Sequence, residues 1–548
     1  MKKRFGGGRK KFIIAFLVIW AVQMAAAFYF CTQKQGFHED EYYTYYSTAR
    51  TNGFYIEDDQ WMERDVYRNE FVVLPGQEFQ YGLVKQVQSW DVHPPVYYWV
   101  FHTAASLVPG VFSKWIGLSV NLALWGVNIV LLAGLAYWVS GRNEKITLLV
   151  TAFYGLSPAA MSGVVFIRMY EMLTMFVLLC AILHVQAIQR IGTKKWVRLP
   201  VGSCLVPMAA VTYLGFLTQY YYSIFLFYLG AAFCLWLLWR ERNIWNCVRY
   251  ALSQGTAFVL AYLTYPSCLG QMFRGQRGAQ ATENFFDLSN TLQRLQFFFD
   301  LLDEFVFGRA LPALLLVLLL LLVTAYRRRS LQKPSAQYAG LSTVYWLLAT
   351  AVLGYFLTVS KTALLLGDTS NRYQLPVYGM IVLLLSEAVR RLIRYVVVDG
   401  RRNAPISSKW EIYSYAAAAV LCLAIDLAGL AGGKVVFLYP EAEEQVKFAE
   451  EQAQENVVAV YLYDPGSEWC IWAATNELLA YPQIYFAAAD HENALTDAEI
   501  QRADALVVYI AKGVDQEAQV ERILESNGQV SHCERMFDNK YYDVYLLQ

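Results

Sequence analysis

The chain has 548 residues, of which 57% are hydrophobic and 16% are charged, and its formal net charge at pH 7 is zero. A soluble protein carries about 25% charged residues, and the deficit here is concentrated in apolar runs of about 17 to 25 residues that can cross about 30 Å of hydrocarbon. The sequence therefore predicts a polytopic membrane protein. Zero net charge argues against a nucleic-acid partner, since no face is basic enough to neutralise a row of phosphates.

A basic N-terminus (Lys2, Lys3, Arg4) precedes the first apolar segment, residues 12–31, and no small-residue cleavage site follows it. This pattern predicts an uncleaved anchor with a cytoplasmic N-terminus. Ten further apolar segments are predicted at 116–140, 145–162, 165–188, 200–218, 221–239, 247–265, 309–326, 340–359, 376–396 and 411–431. The later basic clusters, at 190–198, 240–242, 327–329, 390–394 and 401–402, should all be cytoplasmic.

Alternating these segments from a cytoplasmic start places every basic cluster inside and leaves 32–115, 266–308, 360–375 and 435–548 outside. The apolar run 96–112 would invert this topology if it crossed. We predict that it begins at Pro94-Pro95 and lies in or beside the membrane without completing a crossing. In the predicted external stretch 266–308, the run Leu288–Phe307 is amphipathic and is typical of a surface-lying helix.

The last hundred or so residues change character, because strand-like and helical patterns alternate there. Strands are predicted at Val457–Tyr463, Gln483–Ala488 and Ala505–Ile510, helices near 466–480 and 514–527, and a hairpin from 531–538 and 541–547. The predicted fold class is mainly α: a transmembrane bundle of about 11–12 hydrophobic segments at 1–434, with a small extracytoplasmic α/β domain at 435–548. Cys470 and Cys533 can pair if that domain is extracytoplasmic.

The run His38-Glu39-Asp40-Glu41-Tyr42-Tyr43 follows the first apolar segment. Its tyrosines indicate a short interfacial helix that would hold Asp40 and Glu41 close to the membrane. A carboxylate there can act as general base on an acceptor, or can hold a divalent cation that neutralises a leaving phosphate. The alternative is a solvated loop start. The sequence does not decide whether a metal is needed.

Two arginines stand where loops meet apolar segments. Arg168 is followed by Tyr170 and by Glu171, nearly one turn deeper in the membrane, and Arg372 is followed by Tyr373. Arg is well suited to a phosphodiester, because it is permanently charged and can bind two oxygens. The alternatives are a self-satisfying Arg168–Glu171 pair and an interfacial Arg/Tyr anchor.

Two further polar motifs lie at segment ends on the same predicted face. Asp91 and His93 precede a proline-started apolar run, and His93 can donate a hydrogen bond to a phosphate or an acceptor. Gln219, with the tyrosines that follow it, can hydrogen-bond sugar hydroxyls. A helix start with an incidental His and an aromatic belt explain these residues equally well.

Taken in order, these motifs resemble glycosyltransferase family 39 and its bacterial relatives, in the GT-C superfamily with protein O-mannosyltransferases and aminoarabinose transferases. The motifs are Asp-Glu in a long external loop, His-Pro-Pro-aliphatic-Tyr-Tyr, Arg-Met-Tyr, Leu-Thr-Gln-Tyr and Arg-Tyr-x-x-Pro, and the resemblance covers about residues 10–400. It implies an inverting transfer, on the outer face of a cell membrane, of a sugar from a polyprenyl-phosphate donor to a protein, lipid or glycan.

The resemblance also implies roles for the residues. Asp40 would be the base with Glu41 beside it, and Arg168, Arg372 and His93 would bind the donor phosphate. Sugar or acceptor contacts would come from the remaining polar residues of the motifs, namely Tyr43, Asp91, Tyr170, Glu171, Gln219 and Tyr373. The family often has His where this chain has Gln219. The alternative function is a transporter or flippase of lipid-linked sugars, which predicts inverted repeats that this sequence does not show.

Overall fold

The computed structural model describes residues 5–49, 58–331, 342–398, 408–491 and 495–548, so the predicted basic residues at 2–4 and 401–402 lie outside the described residues. The helices are α1 (Phe5–Gln33), α2 (Glu39–Ala49), α3 (Arg64–Asn69), α4 (Tyr81–Trp90), α5 (Val96–Ser106), α6 (Lys114–Val139), α7 (Glu144–Leu156), α8 (Pro158–Val165), α9 (Tyr170–Gly192), α10 (Val206–Phe216), α11 (Tyr221–Trp239), α12 (Ile244–Thr264), α13 (Ser267–Phe273), α14 (Gln276–Phe286), α15 (Thr291–Phe307), α16 (Leu311–Leu331), α17 (Thr343–Thr362), α18 (Leu375–Val398), α19 (Ser408–Ala431), α20 (Glu441–Gln454), α21 (Thr475–Leu478), α22 (Ala498–Arg502) and α23 (Gln516–Ser526). The strands are β1 (Gln60–Glu63), β2 (Val458–Tyr463), β3 (Gln483–Ala488), β4 (Leu506–Ala511), β5 (Cys533–Asp538) and β6 (Tyr542–Leu547).

These elements form two compact units. The first, here called the helical unit, contains Met1–Cys31, Gln88–Tyr97 and Leu118–Val436. The second, here called the sheet unit, contains Thr32–Val87, Tyr98–Gly117 and Phe437–Gln548. The sheet unit therefore combines the C-terminal region with two stretches of the first predicted external loop, including the acidic run.

The predicted membrane bundle is confirmed. Among the described residues, six helices are long and apolar enough to cross a membrane, and two bent helix pairs raise the number to eight. The six correspond to the predicted segments 12–31, 116–140, 165–188, 221–239, 340–359 and 411–431, and the protein is a multi-pass membrane protein. Close packing is visible between α11 and α17, where a Cβ on Gly354 would overlap the Tyr228 ring.

The remaining predicted segments are helical but differ in detail. The pair α7 and α8 bends by 57°, and α15 meets α16 at 94°. The segment 200–218 begins with a π-helical turn, and its helix is short. The helices at 247–265 and 376–396 do not combine sufficient length and hydrophobicity with few enough charged residues to count as candidate spans. One physical reason is visible in α18, where Glu387 is ion-paired to Arg390 and Arg391 inside the predicted segment.

The run 96–112 contains only the eleven-residue helix α5. At 1.5 Å per residue this helix is about 16 Å long, roughly half of the hydrocarbon thickness. α5 alone is therefore too short to cross, and the location of this run in or beside the membrane stays a prediction.

The sheet unit is built on six strands in the order β1-β3-β2-β4-β6-β5. β2, β3 and β4 are parallel neighbours, whereas β1, β5 and β6 pair antiparallel. β2 and β4 are apolar runs buried on both faces, as parallel strands covered by helices should be. The predicted strands and hairpin are confirmed to within about two residues.

Several features of this unit differ from the sequence prediction. Helix 466–480 is a 3-10 helix, Glu468–Ala474, followed by the short α21. Helix α20 and strand β1 had no counterpart in the prediction. β1 is four residues long and lies far from its partner β3 in the chain, so no local periodicity marks it.

Candidate active site

The acidic run forms the first turn of α2, where the partial positive charge of a helix N-terminus favours carboxylates. Glu41 accepts the backbone N–H of His38 at 2.6 Å, which is the reciprocal contact of a capping box. The same oxygen, Oε2, lies 2.9 Å from Lys34 Nζ, and both side chains are fully buried. Glu41 therefore fixes the start of the helix and holds a buried cation.

Asp40 is the most exposed carboxylate of the three. Its side chain is 31% accessible, against 20% for Glu39 and none for Glu41. The Asp40 backbone N–H lies 3.1 Å from His38 Nδ1, and this nitrogen lies 3.6 Å from Asp40 Oδ2. A partly exposed carboxylate can accept a proton from a substrate.

The hairpin turn of the sheet unit lies beside Glu39. Lys540 Nζ is 3.4 Å from Glu39 Oε1, and the Tyr541 hydroxyl donates to the Glu39 carboxylate. Burial raises the pKa of Glu39, but His38, Tyr541 and Lys540 together bring it below its ordinary value. Farther along α2, the Tyr43 ring packs edge-on against Trp472 with centroids 4.4 Å apart.

In the helical unit, Arg168 lies in the short break between α8 and α9. Its N–H donates to the Phe166 carbonyl at 2.7 Å, and Asn121 Nδ2 donates to the carbonyls of Val164 and Phe166, which orders the end of α8. The Arg168 side chain is 3% exposed. Such a turn places a permanent positive charge at the end of a buried helix.

The Arg372 segment packs against this turn. Arg372 and Tyr373 close the 3-10 helix Thr369–Tyr373, and the Arg372 guanidinium carbon lies 5.2 Å from the Phe166 ring centroid and 5.1 Å from that of Tyr373. The Tyr170 and Tyr373 rings meet edge-on at 5.9 Å. Two motifs that are about two hundred residues apart in the chain therefore share one aromatic cluster, as cation–π contacts favour.

Glu171 lies at the same end of α9 and lines a small closed cavity. Its carboxylate accepts Asn128 Nδ2 at 2.7 Å, and the same amide donates to the Glu171 carbonyl at 2.8 Å. The cavity wall also includes Trp125 and Tyr154. Glu171 is thus held within the helix bundle by Asn128, a partner that the sequence prediction did not include.

The segments that carry Asp91, His93 and Gln219 are also joined. The Val96 N–H donates to the Leu217 carbonyl at 3.0 Å, and Gln271 Nε2 donates to the Asp91 carbonyl at 2.6 Å. Gln219 Oε1 accepts the Tyr220 N–H at 2.6 Å, and the contact of Gln219 with sugar hydroxyls stays a prediction. Gln271 links these segments, and the residues around it in the sequence do not indicate this role.

Two buried cations at the end of α17 also escaped prediction. Arg294 Nε donates to the Ser360 carbonyl at 3.1 Å, and its Nη2 donates to the Ala363 carbonyl. Lys361 Nζ donates to the Asp287 carbonyl, Asn290 Oδ1 and Thr291 Oγ1 at 2.6, 2.7 and 2.9 Å. Arg294 thus satisfies carbonyls at the C-terminus of α17, where cations are favoured, whereas Lys361 joins the end of α17 to the residues between α14 and α15. The sequence feature that could have identified Lys361 is the position of a lysine at the end of an apolar segment.

Among the described residues, the group that can hold a metal ion is Asp58, Asp59 and His491 in the sheet unit. His491 Nδ1 lies 2.5 Å from Asp58 Oδ2 and 3.5 Å from Asp59 Oδ2, and Asp58 Oδ1 accepts the Ala488 N–H at 2.7 Å. Carboxylate and imidazole donors suit a divalent transition metal, but an ion pair that fixes the start of β1 accounts for the same contacts. Asp40 and Glu41 are not part of this group.

No protein-family model and no curated protein sequence matches the chain. Solved structures similar to it include ArnT from Cupriavidus metallidurans, bound to undecaprenyl phosphate and in the apo state. The identity is 13%, with 98% of each chain covered and TM-scores of 0.48 and 0.49. Another is the archaeal oligosaccharyltransferase AglB from Archaeoglobus fulgidus, with an inhibitory peptide and a dolichol-phosphate. It is 11% identical over 93% of this chain and 68% of that chain, with a TM-score of 0.44. Any chemistry assigned to this chain therefore rests on its own side chains.

Proposed function

We propose that the chain is an integral membrane glycosyltransferase that moves a sugar from a polyprenyl-phosphate donor to an acceptor on the extracytoplasmic face, with inversion. The observation that carries the proposal is the junction of the Phe166–Tyr170 turn with Arg372 and Tyr373. It gathers permanent positive charge at the ends of membrane helices, where the phosphate of a lipid-anchored donor can be bound while its tail remains in the bilayer.

In this proposal Arg168 and Arg372, with His93, bind the donor phosphate. Asp40 takes the proton from the acceptor hydroxyl or amine, the acceptor atom forms its bond to the anomeric carbon, and the bond from that carbon to the phosphate oxygen breaks. The lipid phosphate leaves with the electron pair, and the guanidinium groups stabilise the charge that develops there. One base and one leaving group suffice for an inverting transfer.

The other predicted site residues take secondary roles. Glu41 holds the start of α2 through Lys34 and His38, which supports Asp40, and not Glu41, as the base. Tyr170 and Tyr373 flank Arg372, and Tyr43, Asp91, Glu171 and Gln219 stay candidates for sugar or acceptor contacts. The acceptor class, protein, lipid or glycan, follows from none of these contacts. The proposed orientation is a cytoplasmic N-terminus and an extracytoplasmic C-terminal region.

The test uses purified full-length protein incubated with a panel of undecaprenyl- and dolichyl-phosphate sugars and candidate acceptors, with release of lipid phosphate as the readout. Wild type should release lipid phosphate from at least one donor. Asp40→Asn should abolish release while leaving expression and membrane insertion intact, and Asp65→Asn, a carboxylate 70% exposed, is the matched control. Parallel reactions with a chelator or added Mg²⁺ test the metal requirement.

Two results would contradict the proposal. A fully active Asp40→Asn variant would remove the proposed base. Absence of release with every donor, combined with movement of a lipid-linked sugar across vesicles that contain the protein, would establish the transporter or flippase function instead.

A further inference from the structure

The sheet unit contains a buried carboxyl group that the proposed function does not use. Glu477, in α21, is 4% exposed, and the Tyr542 hydroxyl donates to its Oε1 at 2.6 Å. A buried carboxyl needs either a cation or hydrogen-bond partners, because desolvation of its charged form is costly. Here the hydrogen-bond donor to the carboxyl is the phenol of Tyr542.

Six buried tyrosines lie close enough to this carboxyl to interact with it electrostatically, and they are here called the tyrosine cage: Tyr42 of α2, Tyr67 of α3, Tyr461 of β2, Tyr481 after α21, Tyr509 of β4 and Tyr542 of β6. The rings of Tyr461, Tyr509 and Tyr542 lie 5.8 to 6.1 Å apart, and the Tyr67 hydroxyl is 3.0 Å from Thr475 Oγ1. All six side chains are buried. The cage therefore joins the sheet to α2 and α3 around one acidic group.

The helix that carries Asp40 rests on this cage. Tyr42, two residues beyond Asp40, hydrogen-bonds through its phenol to the backbone of Asn476, the residue before Glu477. Tyr43 and Tyr46 both pack on Trp472, with ring centroids 4.4 and 4.8 Å away. α2 is thus attached to the segment 472–477 through three tyrosines that follow Asp40 in the same helix.

We propose that Glu477 is a positioning residue for Asp40, which acts by holding the segment that carries Trp472 and Asn476 in place beneath α2. The inference rests on the proposed function of Asp40 as the base. It gives the C-terminal region a role in the transfer itself: its sheet is the platform on which the base is aligned.

The protonation state of Glu477 gives this role a distinct readout. Burial raises the pKa of Glu477 to about 8, against the hydrogen bond from Tyr542, which lowers it. The groups that face it are the cage phenols, whose pKa values burial raises in every case, and Glu41 lies near Tyr42. Charging Glu477 in this phenol-lined site should therefore loosen the platform as the pH rises through about 8.

The experiment compares wild type with Glu477→Gln, Glu477→Ala and the exposed control Glu525→Gln, each checked for a folded state by thermal unfolding. kcat and the KM for the donor are measured from pH 6 to 9.5, and amide hydrogen exchange of the Glu39–Ala49 peptides is measured at pH 7. We expect wild type and Glu525→Gln to lose kcat on the alkaline side at constant KM. Glu477→Gln should keep kcat and shift that loss upward by at least one pH unit.

Glu477→Ala should lower kcat at least tenfold and speed exchange of the Glu39–Ala49 amides by a similar factor, with peptides of the helical unit unchanged. Full kcat and unchanged exchange in Glu477→Ala would overturn the inference, as would an alkaline limb that Glu477→Gln leaves in place. If wild type transfers no sugar, the proposed function fails. The exchange result then decides by itself whether Glu477 holds α2.

Discussion

Lys34 Nζ and Glu41 Oε2 lie 2.9 Å apart with both side chains completely excluded from solvent. Lys34 Nζ also donates to the Phe437 carbonyl at 2.7 Å, so the pair ties the start of α2 to the first residue of the C-terminal segment in the sheet unit. A buried ion pair of this kind contributes little net stability when complete, but removal of one partner leaves an uncompensated charge.

Single substitution of this pair should be far more harmful than double substitution. We expect Glu41→Leu or Lys34→Met to lower the free energy of unfolding by about 3–5 kcal/mol, since each leaves one buried group without its counter-charge. The double variant Lys34→Met, Glu41→Leu should lose less than either. Chemical unfolding in detergent, followed by tryptophan fluorescence, measures these values. Additive losses would show that the pair is not coupled.

Arg372→Lys should weaken donor binding although the charge is kept. An ammonium group cannot stack between the Phe166 and Tyr373 rings while it binds two phosphate oxygens. We expect the KM for the lipid-phosphate donor to rise about tenfold, which corresponds to about 1.4 kcal/mol. Arg309→Lys, at a side chain 76% exposed, is the control and should bind normally. Unchanged donor affinity in Arg372→Lys would exclude this guanidinium from the phosphate site.

Stability should depend on pH through Glu477. Burial raises the pKa of Glu477 from 4.5, the ordinary value expected in the unfolded chain, to about 8 in the folded protein. The folded chain therefore retains a proton that the unfolded chain releases at lower pH. The stabilising contribution of Glu477 is complete below pH 4.5 and is lost as the pH rises through about 8, at about 1.4 kcal/mol per pH unit within that window. The difference in unfolding free energy between wild type and Glu477→Gln, measured at pH 5, 7 and 9, should change accordingly. A constant difference would show that Glu477 does not titrate there.

Cys470 and Cys533 should behave as free thiols. The structure leaves both outside a disulfide, and burial raises the pKa of Cys470 to about 11, which makes its thiolate scarce at neutral pH. We expect both residues to be alkylated in the denatured, unreduced protein, as measured by mass spectrometry of the peptides, and reductant to leave the unfolding temperature unchanged. Protection of both residues until reductant is added would indicate a disulfide between them.

The sequence predicted the features that local pattern encodes. The lengths of the apolar runs predicted the six helices that can cross a membrane among the described residues. β2 and β4 were predictable because runs such as VAVYLY are buried on both faces. The turns that contain Arg168 and Arg372 could be identified as candidate sites because a charged residue beside an apolar segment is unusual.

The features that it missed depend on distant partners. Strand β1 is a strand only because β3 lies beside it, and Gln271 and Glu477 are polar residues whose burial no neighbouring residue announces. The contact between α2 and Trp472 likewise joins residues that are separated by most of the chain. Such contacts arise from topology, which short-range periodicity does not contain.

The pairing of β1 with β3 imposes an order on biogenesis. Asp58 and Ala488, which hydrogen-bond at the beginning of this pairing, are 430 positions apart. During synthesis β1 remains unpaired until the later membrane helices and then β3 have been synthesised. An incomplete chain would keep the edge of β1 open, so ribosome stalling or premature termination should mark the nascent protein for chaperones and proteases.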